Sequence, residues 1–222
     1  MTADSHTLEI SNLVLSLQGR ALFGPLSFTV EAALPTTVMG PSGCGKSSLL
    51  NWLIGMLPAA FAAEGRVSLD GRPIDRLPPE QRRLGILFQD DLLFPHLTVW
   101  ENLAFAIPPR IKTRGDRRAV ATAALREAGL VGLEDRDPAT LSGGQRARVA
   151  LLRVLLCEPM ALLLDEPFNK LDEPLRRRFR ATVFETARTR NLPVLMVTHD
   201  PADAVAAGGP LITLGDASLS EN

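Results

Sequence analysis

The chain has no tyrosine, only two cysteines and three histidines in 222 residues, and aromatic side chains make up 5% of it. Two cysteines are too few for a disulfide framework. One of them, Cys44, lies in a glycine-rich loop that a bridge to Cys157 would immobilise, so both are expected as reduced thiols. Cys44 reads as a packed apolar side chain rather than a reactive thiolate. An excess of either charge is also missing: 24 Lys plus Arg against 25 Asp plus Glu leave −1. That balance gives no electrostatic reason to expect nucleic acid or anionic lipid as the main partner. The basic cluster Arg176-Arg177-Arg178-Phe179-Arg180 is expected to be a solvated helix face. No run approaches the roughly 18 uninterrupted apolar residues of a membrane span. Met1 to Thr7 has neither the basic start nor the apolar stretch of a signal peptide, so a soluble protein kept in the cytoplasm is expected. No repeat or low-complexity segment is visible.

What is present is concentrated in a few short stretches. Gly40-Pro41-Ser42-Gly43-Cys44-Gly45-Lys46-Ser47 fits the pattern of a phosphate-binding loop. Glycines let several backbone N–H groups turn toward one anion, Lys46 reaches the β- and γ-phosphates, and the Ser47 hydroxyl is a ligand for Mg²⁺. The apolar run Thr37-Val38-Met39 leads in, and helix-forming residues from Ser48 lead out, which is the strand, loop and helix order the motif requires.

With 45% hydrophobic residues the chain can bury a real core, and its length suits one large domain. Alternation from Leu8 to Leu17 and again from Leu26 to Val30 predicts half-buried antiparallel strands with a turn near Gly24-Pro25. Short apolar runs follow at Thr37–Met39, Val67–Leu69, Gly85–Phe88, Ala161–Leu164, Val194–Val197 and Leu211–Leu214, several of them patterned as strands buried on both faces. Four of these runs end in a polar group: the loop at Gly40, Gln89, Asp165-Glu166 and Thr198-His199. In an open parallel sheet the carboxyl ends of the strands form the ligand site, so the four endings are expected to meet on one edge. Between Gln89 and Leu141 the pattern turns helical. Val99–Ile107 stops at Pro108-Pro109, and Arg117–Leu130 carries Val120, Ala123, Ala124 and Leu125 on an apolar face. Ser142 is expected to cap a helix from about Gly144 to Cys157. The fold class predicted is α/β: a P-loop NTPase with a mostly parallel core sheet, an N-terminal antiparallel β subdomain and an α-helical subdomain inserted at about residues 90–140.

Asp165 is placed to hold Mg²⁺ through water, and Glu166 to orient the attacking water as general base. His199, on the same sheet edge, is expected to contact the γ-phosphate or link it to the base. Leu141-Ser142-Gly143-Gly144-Gln145 reads as a second anion site at a helix start. A capped helix accounts for Ser142 on its own, but leaves Gly143, Gly144 and Gln145 unexplained.

These residues together resemble the ATP-binding-cassette ATPases over nearly the whole chain. Gly40 to Ser47 is similar to Walker A, with Ser48 beside it, and Gln89 to the Q-loop glutamine, a further Mg²⁺ contact. Leu141 to Gln145 is similar to the signature, Ala161 to Glu166 to Walker B, His199 to the switch histidine and Asn169 to Asp172 to the D-loop. The segment Leu93 to Asn102 resembles the helical subdomain of bacterial uptake-system ATPases, and the wording around Met39, Gln89 and Asp137–Arg153 resembles short importer ATPases encoded with a binding protein and a permease. The resemblance implies a head-to-tail homodimer formed with ATP, in which Ser142 and Gly144 of one chain touch the γ-phosphate held by Lys46 of the other. It also implies permease subunits, a periplasmic solute-binding protein and a place on the cytoplasmic face of the bacterial inner membrane. ATPases of exporters or lipoprotein-release systems, and non-transport ATPases of DNA repair or translation, are the alternatives. Three departures stand out. Leu17 or Gln18 occupies the place of an adenine-stacking aromatic, an exchange worth about 1 kcal/mol. Asn169 replaces the D-loop serine. The chain ends at Asn222, so the substrate-linked regulation supplied by an extra C-terminal domain in many sugar importers is not expected.

Overall fold

A computed structural model describes residues 6–215. The alternating N-terminal segment becomes β1 (Thr7–Leu17) and β2 (Arg20–Glu31), paired antiparallel. Leu8, Ile10, Leu13 and Leu15 are buried. The turn between the strands is at Gln18-Gly19, with φ 49° and 82°, and not at Gly24-Pro25, which lies inside β2. The Gly-Pro pair marks a bulge instead. The register slips between Leu13, opposite Leu26, and Leu15, opposite Phe23. At the slip a Cβ on Gly24 would stand 2.7 Å from the Val14 Cα, so glycine permits the close approach of two backbones.

The chain continues through β3 (Thr36–Met39), α1 (Lys46–Leu53), β4 (Phe61–Leu69), β5 (Arg72–Pro73) and β6 (Leu84–Leu87). After these come α2 (Val99–Ala106), α3 (Arg114–Glu127), α4 (Gly143–Leu156), β7 (Ala161–Asp165), α5 (Glu173–Thr189), β8 (Val194–Thr198), α6 (Pro201–Ala207) and β9 (Leu211–Thr213). They form a four-stranded sheet in the order β2-β1-β4-β5 and a five-stranded sheet in the order β6-β7-β8-β3-β9. The Val67–Leu69 run therefore belongs to the antiparallel sheet, as the end of β4. In the second sheet β3 runs parallel to β8 and β9, and β7 parallel to β8. Leu162, Leu163 and Leu164 on β7 and Val194 to Val197 on β8 are all buried, as expected where both faces of a sheet are covered.

The described residues fall into two compact units. One runs through Ile86, takes in Met160–Glu166 and resumes at Phe184; the other comprises Leu87–Pro159 and Pro167–Val183. In the second unit α2, α3 and α4 share a core of Val99, Trp100, Leu103, Ala121, Leu125 and Val149. The buried face of α3 is Ala121 and Leu125 with Val120 and Ala124 beside them, while Ala123 is exposed. The basic cluster on α5 is only partly solvated. Arg177 and Arg178 are exposed, Arg176 is half-buried, and Arg180 is buried with its guanidinium 5.7 Å from the centre of the Phe168 ring. Cation–π contact and the long aliphatic stem let an arginine in that position go inward.

In the first unit the far end of α1 is fixed by one buried side chain. Arg82 donates from Nη1 to the carbonyls of Trp52 and Leu53 at 2.8 and 2.7 Å, from Nε to Leu77 at 2.8 Å and from Nη2 to Asp75 at 2.7 Å. Helix C-termini leave such carbonyls without intrahelical donors. The guanidinium lies against Gly55, where a Cβ would stand 2.9 Å away. Arg82→Ala is expected to cost about 2–4 kcal/mol by orphaning buried carbonyls. Urea unfolding checks this, with Arg82→Lys recovering only part because one ammonium cannot reach both sides of the fork.

Candidate functional site

Met39 ends β3, and the chain then turns through Gly40 to Gly45 into α1. Two glycines have positive φ, Gly43 at 83° and Gly45 at 98°, a conformation that favours glycine and turns successive N–H groups to one side. Gly40 is needed for a different reason. A Cβ there would lie 2.7 Å from both the Cys44 sulfur and the Leu214 carbonyl oxygen. Cys44 is buried, in keeping with a packing role, while Pro41, Ser42 and Gly43 are exposed. Lys46 is buried, and its ammonium donates to the carbonyls of Gly40 at 2.7 Å and Pro41 at 2.9 Å. It therefore spans the loop from inside. Ser48 is half-buried in the first turn of α1.

The parallel sheet brings β7 and β8 to the same edge. Ser47 donates from Oγ to Oδ1 of Asp165 at 3.1 Å, tying the loop to the end of β7. Burial holds the Asp165 carboxyl above its ordinary range; the hydrogen bond from Ser47 and the charge of Lys46 oppose this, and the neighbouring Glu166 adds to it. Glu166 follows with φ 45° and donates its N–H to the Val197 carbonyl at 2.9 Å. A left-handed residue is unusual outside glycine. Here it turns the chain out of the sheet at the residue whose carboxylate meets His199, with Nδ1 to Oε1 at 3.2 Å. His199 follows β8 and is exposed; Glu166 is half-buried.

A hydroxyl and a carboxylate held together suit a hard divalent cation, which takes oxygen ligands and keeps water and phosphate as the rest of its shell. Ser47 and Asp165 fit Mg²⁺ on that chemistry. Ser47, Lys46, Asp165, Glu166 and His199 thus converge on the edge of one sheet.

Gln89, Ser142, Gly143, Gly144 and Gln145 lie in the second unit. Ser142 caps α4 through a reciprocal box. Its Oγ accepts from the Gln145 N–H at 3.3 Å, and the Gln145 Oε1 accepts from the Ser142 N–H at 2.9 Å. Gln145 is therefore explained by capping, contrary to the expectation that a capped helix would leave it unaccounted for. Gly144 has a packing reason as well: a Cβ there would lie 2.5 Å from Leu175 of α5. Gly143 is exposed with open space around it. Leu17, the last residue of β1, sits opposite Arg20 on β2 and Phe61 on β4, and Gln18 follows in the turn.

Sequence reasoning missed the ties around the segment after Gln89. Asp90 forms an ion pair with Lys170, and the Asp91 carboxylate one with Arg146 at 2.9 Å. Arg153 donates to the carbonyls of Asp91 and Leu92 at 3.0 and 2.8 Å. Acidic residues beside the glutamine and two arginines spaced two turns apart on α4, and so on one face of it, were the available signal. A cleft of about 170 Å³ between these elements is lined by Gln89, Asp90, Arg146, Lys170 and Phe179.

Comparison with known proteins gives one family. A profile described as ABC transporter matches residues 23–169. The chain is 49% identical over 213 residues, 96% of each chain, to a protein of Escherichia coli (strain K12) named "Uncharacterized ABC transporter ATP-binding protein YnjD". It is 38% identical over 196 residues to "Fe(3+) ions import ATP-binding protein FbpC" of Brucella abortus (strain 2308), covering 88% of this chain and 55% of that one. A Rhizobium meliloti (strain 1021) protein, "Fe(3+) ions import ATP-binding protein FbpC 1", matches at 37% with the same coverage. The chain thus spans about half the length of these iron-import relatives.

Because burial raises the Asp165 carboxyl, its contribution to stability is full below the ordinary aspartate range and is lost as pH rises through the raised value. At neutral pH the ionised group is a net cost without a bound cation. Asp165→Asn is expected to raise the melting temperature of the nucleotide-free protein at neutral pH, to flatten its acid dependence and to abolish Mg²⁺-dependent ATP turnover. Differential scanning calorimetry across pH and a turnover assay check the two halves.

Proposed function

Since this chain belongs to the ABC transporter family and is an ATP-binding subunit with ATPase activity, we propose that it powers solute import as a head-to-tail pair, with Glu166 as general base. The observation that supports this best is the contact of Glu166 with His199 on the sheet edge that also carries Lys46, Ser47 and Asp165. In this reading the two compact units act as one ATPase domain, the helical one carrying Gln89 and the Ser142 turn.

Lys46 already has two carbonyl partners, which leaves one of the three ammonium N–H groups for an incoming phosphate. Backbone N–H groups of Gly43 to Ser48 cradle the β-phosphate. Ser47 and Asp165 would hold Mg²⁺, with Gln89 proposed as a further ligand, and the ion would supply positive charge to offset that of the phosphates. The Glu166 carboxylate accepts a proton from water as the water oxygen bonds to the γ-phosphorus and the bond to the β-phosphate oxygen breaks, giving ADP and inorganic phosphate. An ionised carboxylate only accepts, so the His199 Nδ1 carries the proton in their contact. The opposite ring nitrogen is then the one that addresses the γ-phosphate, donating when the ring is an imidazolium. Leu17 with Phe61 beside it on the same face of the sheet offers the base an apolar surface in place of the usual aromatic.

The Ser142 turn serves the partner's nucleotide: its open N–H groups are an anion site, and hydrolysis removes the group that bridges the two chains. Import is favoured over export because relatives at 37–38% identity carry import in their names. Partners in this reading are membrane-embedded permease subunits at the cytoplasmic face of the inner membrane and a periplasmic solute-binding protein. No helix among the described residues is long and apolar enough to cross a membrane; in this reading the subunit is held at the membrane through the permease. The solute is selected by the permease and binding protein.

Glu166→Gln is expected to keep ATP affinity, lose most turnover and shift from monomer to dimer in gel filtration only with Mg-ATP. Substantial residual hydrolysis would remove Glu166 as the base. Lys46→Ala is expected to lose nucleotide binding. Mixing Ser142→Arg with Lys46→Ala chains should leave at most one working composite site per pair, and two working sites would contradict the head-to-tail arrangement.

A further inference from the structure

We propose that Thr198 and Asp203 are positioning residues for His199. The inference rests on the reading that His199 works beside Glu166. Val194 to Val197 of β8 are apolar and buried, and the strand then ends in a threonine with no exposed surface at all. Asp203, in the first turn of α6, is equally buried. A carboxylate and a hydroxyl taken out of water are costly unless they are hydrogen-bonded. These two meet: the Thr198 Oγ1 donates to the Asp203 Oδ2 at 3.1 Å.

The same hydroxyl oxygen accepts from the Asp200 N–H at 3.0 Å. The Thr198 side chain therefore reaches around His199 and holds the backbone on its far side, while the Asp203 carboxylate fixes the direction of the hydroxyl. Asp200 is secured in turn by accepting from the Ala202 N–H at 2.8 Å. On the other flank Thr198 pairs with Met39, the residue before the phosphate loop. His199 itself has little packing, its side chain being 56% exposed. Its place relative to Glu166 depends on this anchored backbone, not on a pocket around the ring.

Removing the hydroxyl frees the Asp200 N–H and lets residues 198–200 relax. A misplacement on the order of 1 Å costs about a hundredfold in rate when reacting groups lose alignment. ATP itself is held by the phosphate loop, so affinity is spared.

The test is a set of variants in the full chain with steady-state ATPase kinetics and melting temperatures: Thr198→Val, Thr198→Ser, His199→Ala and the Thr198→Val/His199→Ala pair. Thr198→Val is expected to lower kcat at least about tenfold with KM for ATP unchanged, and Thr198→Ser to restore it. In the His199→Ala background Thr198→Val should cost nothing further, the signature of two residues acting as one. Thr198→Ala, which leaves room for a water beside Asp203, gives the same readings if the valine variant does not fold. An equal loss in both backgrounds, or a loss of melting temperature with kcat preserved, would overturn the proposal. Unchanged turnover in His199→Ala alone would instead sink the role given to His199, and the positioning role with it.

Discussion

A parallel strand buried on both faces can carry polar chemistry only where it ends. β7 and β8 are apolar along their length, so the first groups able to hold water, metal or phosphate are those at and just after their last residues. Parallel pairing then does the assembly. Asp165 stands opposite Val197, and Thr198 opposite Met39, so register alone fixes which endings are neighbours. The hydrogen bond from Ser47 to Asp165 and the contact between His199 and Glu166 follow from that register.

The same arrangement sets the electrostatics. Asp165 is pushed toward its neutral form by burial, and the opposing influences are a hydroxyl and a lysine already engaged with its own loop. The edge is thus short of positive charge near its carboxylates in a way a divalent cation would correct. Glu166 takes a left-handed backbone to leave the sheet, a strain of the kind found at functional sites.

Much of this was legible in the chain. Glycine spacing, the three apolar runs whose polar endings at Gly40, Asp165-Glu166 and Thr198-His199 share one sheet edge, and the Ser142 cap are local signals, and local signals survive in a sequence. What was not legible depended on long-range packing. Gly24-Pro25 looks like a turn until the approach of Val14 shows a bulge. Arg180 looks like one more surface charge until Phe168 appears beneath it. Gln145 looked surplus because a reciprocal cap needs both ends of the geometry. Asp91 lies far along the chain from Arg146 and Arg153, and the spacing of the two arginines shows that they share a face of α4 but not which segment that face meets. Asp203 drew no notice because a buried carboxylate and a solvated one are spelled alike.

The reciprocal cap on α4 has a thermodynamic meaning for assembly. Ser142 and Gln145 settle each other within one chain, and Leu175 presses against Gly144, so the turn is ordered at folding, before any partner arrives. If two chains close around nucleotide as proposed, they would then lose little conformational entropy at this surface. Their association would respond chiefly to whether the bridging anion is present, which is the dependence an engine cycling between nucleotide states requires.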